Sequence, residues 1–142
     1  MKNVIALLHE KSARVYSVPS TATVLDAISM MAEHQIGSVL VMENGHLLGI
    51  VTERDYARKV ILLGRTSGDT PVSEIMSTPV QTVSPTDTVN YCMMLMTERK
   101  LRHLPVQNQD EIIGLISIGD LVKAVIEQQQ LEISQLQNYI TG

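Results

Sequence analysis

At 142 residues, with 44% apolar and 18% charged side chains, the chain has the makeup of one ordinary globular domain or of two small units sharing a core. A net charge of −4 without any long run of Lys or Arg argues against nucleic acid as the main partner, and no stretch approaches 18 uninterrupted apolar residues, which argues against a membrane partner. The single cysteine, Cys92, can form no internal disulfide, and "MKNVIALLHEK" is too short an apolar run for a signal peptide, so the expected location is the cytoplasm.

In chain order, "NVIALL" near residue 4 reads as a lead-in helix, and "ARVYSV" as a short extended segment ending at Pro19. Thr23 stands at a helix N-cap before "TVLDAISMMAEHQI", where Val24, Ala27, Ile28, Met31 and Ala32 fall on one apolar face. The apolar run "SVLVM" is a strand, and "NGHLLGIV" returns it as a hairpin, with Asn44-Gly45 supplying the positive φ angles of a tight turn. "ERDYARKVILL" is a second helix. Gly64, Ser67 and Gly68 then mark a loop, and Thr70-Pro71 predicts an N-cap opening a short helix through Met76.

The same order then recurs. "TPVQTV" is extended, Thr88 caps "TVNYCMMLMTERKL", and "HLPVQ" is a strand. "QDEIIGLI" lacks the turn glycine, which predicts a longer turn or one of another type. "IGDLVKAVIEQ" is the closing helix. A shift of 65 positions lays Val15–Ile61 over Val80–Ile126 without a gap, with 12 of 47 pairs identical. That register makes the chain a tandem duplication. The domains expected are a first repeat at 2–63, a linker at 64–71, a second repeat at 72–127 and a helical extension at 128–142.

The most informative pair of segments is "GIVTERD" at 49–55 and "GLISIGD" at 114–120. Thr52-x-x-Asp55 and Ser117-x-x-Asp120 fit a capping box opening a helix, a device worth about 0.5–2 kcal/mol. Asp is a short reciprocal arm, however. An aspartate that does not fold back would project beside unpaired amides, where it could accept from vicinal hydroxyls while the amides and hydroxyl residue bind an anion. Gly49 and Gly114 fit either a close backbone approach or tight strand pairing.

These motifs, with "YSVPSTATVLDA", "QTVSPTDTV" and "LRHLPV", resemble a pair of cystathionine-β-synthase-type (CBS) domains, a Bateman module, over about residues 2–127. The resemblance implies an α/β fold of two β-α-β-β-α repeats packed sheet to sheet about a pseudo-twofold axis. It implies clefts for an adenosine-containing ligand: AMP, ADP, ATP, NAD(H) or S-adenosylmethionine. By position it assigns Asp55 and Asp120 to the ribose hydroxyls, and Thr52 and Ser117 to the phosphate or ribose. Arg102 and His103 match a place of basic phosphate contacts, where the first repeat has only Gly37 and Ser38, so the two clefts should not bind alike. Arg54 is a further candidate contact, and Pro105 a cleft-lining residue with Gly37 and Ser38.

Bland readings stand beside these. Arg102, His103 and Arg54 could form a solvated edge, and Tyr16 and Tyr56 could serve packing alone. Cys92 reads as core. The histidines lack metal-ligand spacing, so no metal is expected. No paired nucleophile and base, P-loop or G-x-G-x-x-G is present, so no catalysis is expected. The function implied is a regulatory adenine-nucleotide sensor answering to an unknown effector protein. The alternative is a dimerising structural module with vestigial clefts. Val122, Ile126, Gln129, Ile133, Leu136 and Ile140 follow 4-3-4-3-4 spacing, a seam that could meet another helix, and the family's habit of pairing through helices predicts a homodimer to which it contributes.

Overall fold

The computed structural model describes residues 2–11 and 14–141. Helix α1 (Val4–Glu10) begins at Asn3, whose side chain accepts from the Ala6 amide, as an N-cap should. The first repeat follows as β1 (Ser17–Val18), α2 (Val24–His34), β2 (Ser38–Glu43), β3 (His46–Thr52) and α3 (Glu53–Tyr56). The chain continues from α3 into a π-helical turn, Ala57–Ile61. The second repeat gives α4 (Val89–Arg99), β4 (His103–Asn108), β5 (Glu111–Ser117) and α5 (Ile118–Thr141).

The caps act where the sequence places them. Thr23 and Asp26 make a reciprocal capping box, and Thr88 accepts from the Tyr91 amide. Both helices end on a left-handed residue, Gln35 (φ 53) and Lys100 (φ 55). On α2, Val24, Ala27 and Met31 are buried, whereas Ala32 is exposed, so the apolar face is narrower than its spacing suggests.

Strand β1 runs parallel to β2, with Ser17 beside Leu40 and Val18 beside Val41, and β2 and β3 form an antiparallel hairpin. In the second repeat β4 and β5 pair, and "TPVQTV" supplies only an isolated parallel bridge between Val83 and Val106. The two hairpin turns have the same length, so the second is not longer. It differs in type: Asn44 (φ 51) and Gly45 (φ 80) are both left-handed in the first, while Gln109 (φ 56) alone is in the second.

Two further expectations are corrected. The segment after Pro71 makes a single 3₁₀ turn, Val72–Glu74, rather than a helix to Met76. Thr70 does not cap it, because its hydroxyl donates instead to the Thr66 carbonyl at 2.7 Å.

The chain forms two compact units. One comprises the described residues within 1–13, 82–108 and 113–142, the other those within 14–81 and 109–112. The lead-in segments are therefore exchanged. Val4 and Leu7 of α1 lie in the core of the second repeat with Val89, Cys92, Leu104, Ile116 and Leu121. Val72 and Ile75 lie in the core of the first with Val24, Val39, Val51 and Val60. Equivalent bonds fix each arrangement. The Val4 amide donates to the Asp87 carbonyl and the Val89 amide to the Lys2 carbonyl, just as the Val72 amide donates to the Ala22 carbonyl and the Val24 amide to the Thr70 carbonyl.

This exchange explains the motif glycines. A Cβ on Gly114 would come within 2.5 Å of Leu8 Cδ2, and one on Gly49 within 2.5 Å of Met76 Sδ. Each glycine makes room for a side chain of the lead-in docked on its own repeat, which is the close approach and not a demand of strand pairing.

Candidate functional site

The two hydroxyl-x-x-aspartate motifs sit where β3 passes into α3 and β5 into α5. At each corner a strand ends at the hydroxyl residue and exposes first-turn amides, which the hydroxyl and the carboxylate then satisfy. Thr52 Oγ1 accepts from the Asp55 amide at 3.1 Å, and Asp55 Oδ2 accepts from the Thr52 amide at 3.0 Å and from Thr52 Oγ1 at 3.1 Å. Ser117 Oγ accepts from the Asp120 amide at 3.3 Å, and Asp120 Oδ2 accepts from the Ser117 amide at 2.8 Å. Both aspartates thus fold back, and neither projects freely as the shortness of its side chain suggested. One carboxylate oxygen spans the gap because the hydroxyl residue is extended at the cap, with φ −118 and ψ 165 at Thr52.

A lysine meets each carboxylate. Lys59 Nζ lies 3.0 Å from Asp55 Oδ1, one turn along the helix, and donates to the Ile75 carbonyl at 2.9 Å. Lys11 Nζ donates to Asp120 Oδ2 at 2.6 Å and to the Leu115 carbonyl at 2.9 Å. The two corners are therefore alike in plan and different in detail. Asp55 is 7% exposed and has both oxygens engaged. Asp120 places both partners on Oδ2, leaving Oδ1 without a donor among the described residues, and its side chain is 26% exposed. Burial alone would raise the Asp120 carboxyl, but Lys11 and the Ser117 groups outweigh it and hold the acid below its usual 3.8.

The remaining expected residues divide between the corners. The Arg102 carbonyl accepts from the Ile118 amide at 2.9 Å, and the Gly37 carbonyl accepts from the Glu53 amide at 3.1 Å, so each strand start is tied to its helix start. Arg102 and Arg54 are exposed. His103 is half-buried at the start of β4. Burial pushes its imidazole below 6.5, the Lys11 and Arg102 cations add to that, and the Asp120 carboxylate opposes it. Ser38, its counterpart, is buried across from Thr52, and its hydroxyl has no hydrogen-bond partner among the described residues. Pro105 is buried within β4, where its carbonyl accepts from the Val83 amide. Cys92 is core, with burial pushing its thiol up to about 11 and the Asp87 charge adding to it.

Sequence reasoning missed both lysines. Lys59 stands four residues after Asp55, a spacing that places the two side chains together on a helix and could have been read. Lys11 lies 109 residues from Asp120, and no local signal joins them. Beside Asp120 a groove of about 150 Å³ runs between α1 and α5, lined by Leu7 and Ala124 and by the charged Glu10, Lys11, Asp120, Lys123 and Glu127. Lys2 pairs with both Glu10 and Glu127.

Two copies of a helix–hairpin–helix unit, preceded by a short strand in the first and by an isolated bridge in the second, each close on the same hydroxyl-x-x-aspartate corner and define a duplicated α/β pair. The chain belongs to the CBS-domain family: the family profile, "CBS domain", matches residues 11–61 and 72–127. It is 42% identical over 125 residues to the mitochondrial CBS domain-containing protein CBSX3 of Arabidopsis thaliana, covering 84% of this chain and spanning 61% of that protein's length. The structure of a Burkholderia ambifaria MC40-6 protein with CBS domains superposes with a TM-score of 0.87 at 49% identity, over 90% of this chain and 96% of that one. A CBS domain protein from Pyrobaculum aerophilum, solved in complex with AMP, superposes with a TM-score of 0.74 at 27% identity, over 84% and 89% of the two chains. Among the described residues no helix is long and apolar enough to cross a membrane.

Proposed function

We propose that this CBS pair is a non-catalytic regulatory module that binds one adenine nucleotide per chain at the Asp120 corner. The observation that carries the reading is the open oxygen of Asp120. The carboxylate is anchored and charged through Oδ2, while among the described residues Oδ1 faces no donor and can accept from a ribose hydroxyl. The Asp55 carboxylate, with both oxygens engaged and little exposure, acts as a helix cap. The AMP complex of the Pyrobaculum relative supports the ligand class. Arg102 and His103 would supply cationic or hydrogen-bonding contacts to a phosphate there, while Arg54 belongs to the Asp55 corner.

Titration calorimetry with AMP, ADP, ATP, NAD, NADH and S-adenosylmethionine, with GTP as control, tests this. An adenine nucleotide at 100 times its dissociation constant should stabilise the protein by about 2.7 kcal/mol, with a stoichiometry of one per chain. Asp120→Asn should weaken binding by about tenfold or more, while Asp55→Asn should lower the melting temperature and leave binding intact. Two sites per chain would make the first corner a ligand site as well.

A second reading, a dimerising structural module whose ligand sites are vestigial, is favoured by the capping boxes, since both aspartates already have work in holding helices. Absence of binding across the whole panel would establish it in place of the first.

A further inference from the structure

The ammonium of Lys11 has three N–H donors, and the structure accounts for two of them, on the Leu115 carbonyl and on Asp120 Oδ2. The carboxylate beside it has one oxygen engaged and one open. Among the described residues, the pair presents one unengaged donor next to one unengaged acceptor, both partly exposed (Lys11 31%, Asp120 26%), at the side of the groove between α1 and α5. Two adjacent hydroxyls match this arrangement. One donates to Asp120 Oδ1, and the oxygen of its neighbour accepts from Lys11. A sugar lacking either hydroxyl can satisfy only half of it.

We propose that Lys11, carried by the lead-in helix, is the second recognition residue of the Asp120 site and makes it selective for an intact vicinal diol. The inference rests on the nucleotide-binding reading of Asp120 given above. The first repeat cannot do the same, because the residue at the end of its own lead-in that corresponds to Lys11 is not a lysine. Lys59 arrives instead from the helix that follows Asp55 and takes the remaining carboxylate oxygen. The lead-in docked on the second repeat thus supplies a chemical group that the other lacks, and the two corners part in function at this side chain.

The test compares the wild type with Lys11→Met, which keeps the aliphatic stem and removes the ammonium. Each protein is titrated with AMP, adenosine, 2′-deoxy-AMP and 3′-deoxy-AMP. The wild type should prefer AMP to both deoxy analogues by about tenfold or more. Lys11→Met should lose a similar factor with AMP and with adenosine, and should bind as the wild type does the one analogue that lacks the hydroxyl facing Lys11. Equal affinity for the deoxy analogue also shows that the variant is folded. A loss with AMP but none with adenosine would place Lys11 on the phosphate and overturn the diol assignment. Tighter binding by Lys11→Met would make Lys11 a competitor for Asp120 and overturn it too. Unchanged binding of every ligand would remove Lys11 from the site while leaving Asp120 in it. If the wild type binds none of the four, the inference fails, and the nucleotide reading fails with it only if ADP, ATP, NAD, NADH and S-adenosylmethionine also do not bind.

Discussion

His103 gives the second-repeat corner a response to weak acid. Its imidazole is half-buried, and burial together with the Lys11 and Arg102 charges holds it below the 6.5 of an unfolded chain, against the opposing pull of Asp120. Between the folded value and 6.5 the unfolded state binds more protons, so stability falls as pH is lowered through that interval. Asp120 behaves differently. Its folded value lies below 3.8, so the stability it contributes is present above that pH and is lost only as pH falls through the folded value. The two windows are separate. Urea melts between about pH 7.5 and 5.5 should show a declining midpoint, and His103→Gln should flatten that decline while leaving the steeper loss below about pH 4. A variant that keeps the full decline would assign it to other groups.

At the scale of elements, the exchanged lead-ins decide which repeat depends on which segment. Leu7 is 5% exposed and sits in the core of the second repeat, so Leu7→Ala should cost about 2–5 kcal/mol. Hydrogen exchange should then rise in α4, β4 and β5 and change little in β2 and β3. Faster exchange in β2 and β3 instead would mean that α1 supports the first repeat, against the packing described. The helices and hairpins were legible in the sequence because their signals are local: Thr23 and Thr88 at caps, Asn44-Gly45 at a turn, and the continuous apolar run "SVLVM", whose first four residues are all buried. The exchange was not, because Val4 and Val72 carry the same apolar character whichever core receives them. Gly114 fitted a close approach and tight strand pairing equally, and Leu8, the side chain that does approach, is 106 positions away. The hydroxyl-x-x-aspartate corners were legible as motifs, and their folded-back geometry was misjudged because an extended cap residue brings the short Asp arm within reach. The π turn at Ala57–Ile61 was hidden as well. Its i to i+5 bonds, from Leu62 to Ala57 and from Arg65 to Val60, leave no mark on apolar spacing.

For the whole molecule, the last helix poses the question of what covers it. Only Leu121 and Ala124 of α5 are buried, and every described residue from 129 onward is exposed, so the tail does not pack into the core of its own chain. An isolated helix of this length is marginal in water. The seam read from the sequence is still apolar where it is exposed: Val122 43%, Ile126 48%, Ile133 55%, Leu136 60%, Ile140 74%. Beyond Gln128 the described tail carries a single charged side chain, Glu132, so a second copy would meet little repulsion. The homodimer proposed for this chain should therefore close along this seam, with Gln129 set against Gln129 or a neighbouring polar group. Sedimentation equilibrium should give twice the 15.7 kDa chain mass. Ile133→Glu combined with Ile140→Glu should reduce it to one chain, because like charges would then face each other across the pair. The far-ultraviolet signal of the two repeats should persist, since neither residue belongs to a core. A dimer that survives both substitutions would have to be held elsewhere, with the exposed Ile61, Leu62 and Leu63 at the end of the first repeat's last helical turn the next surface to test.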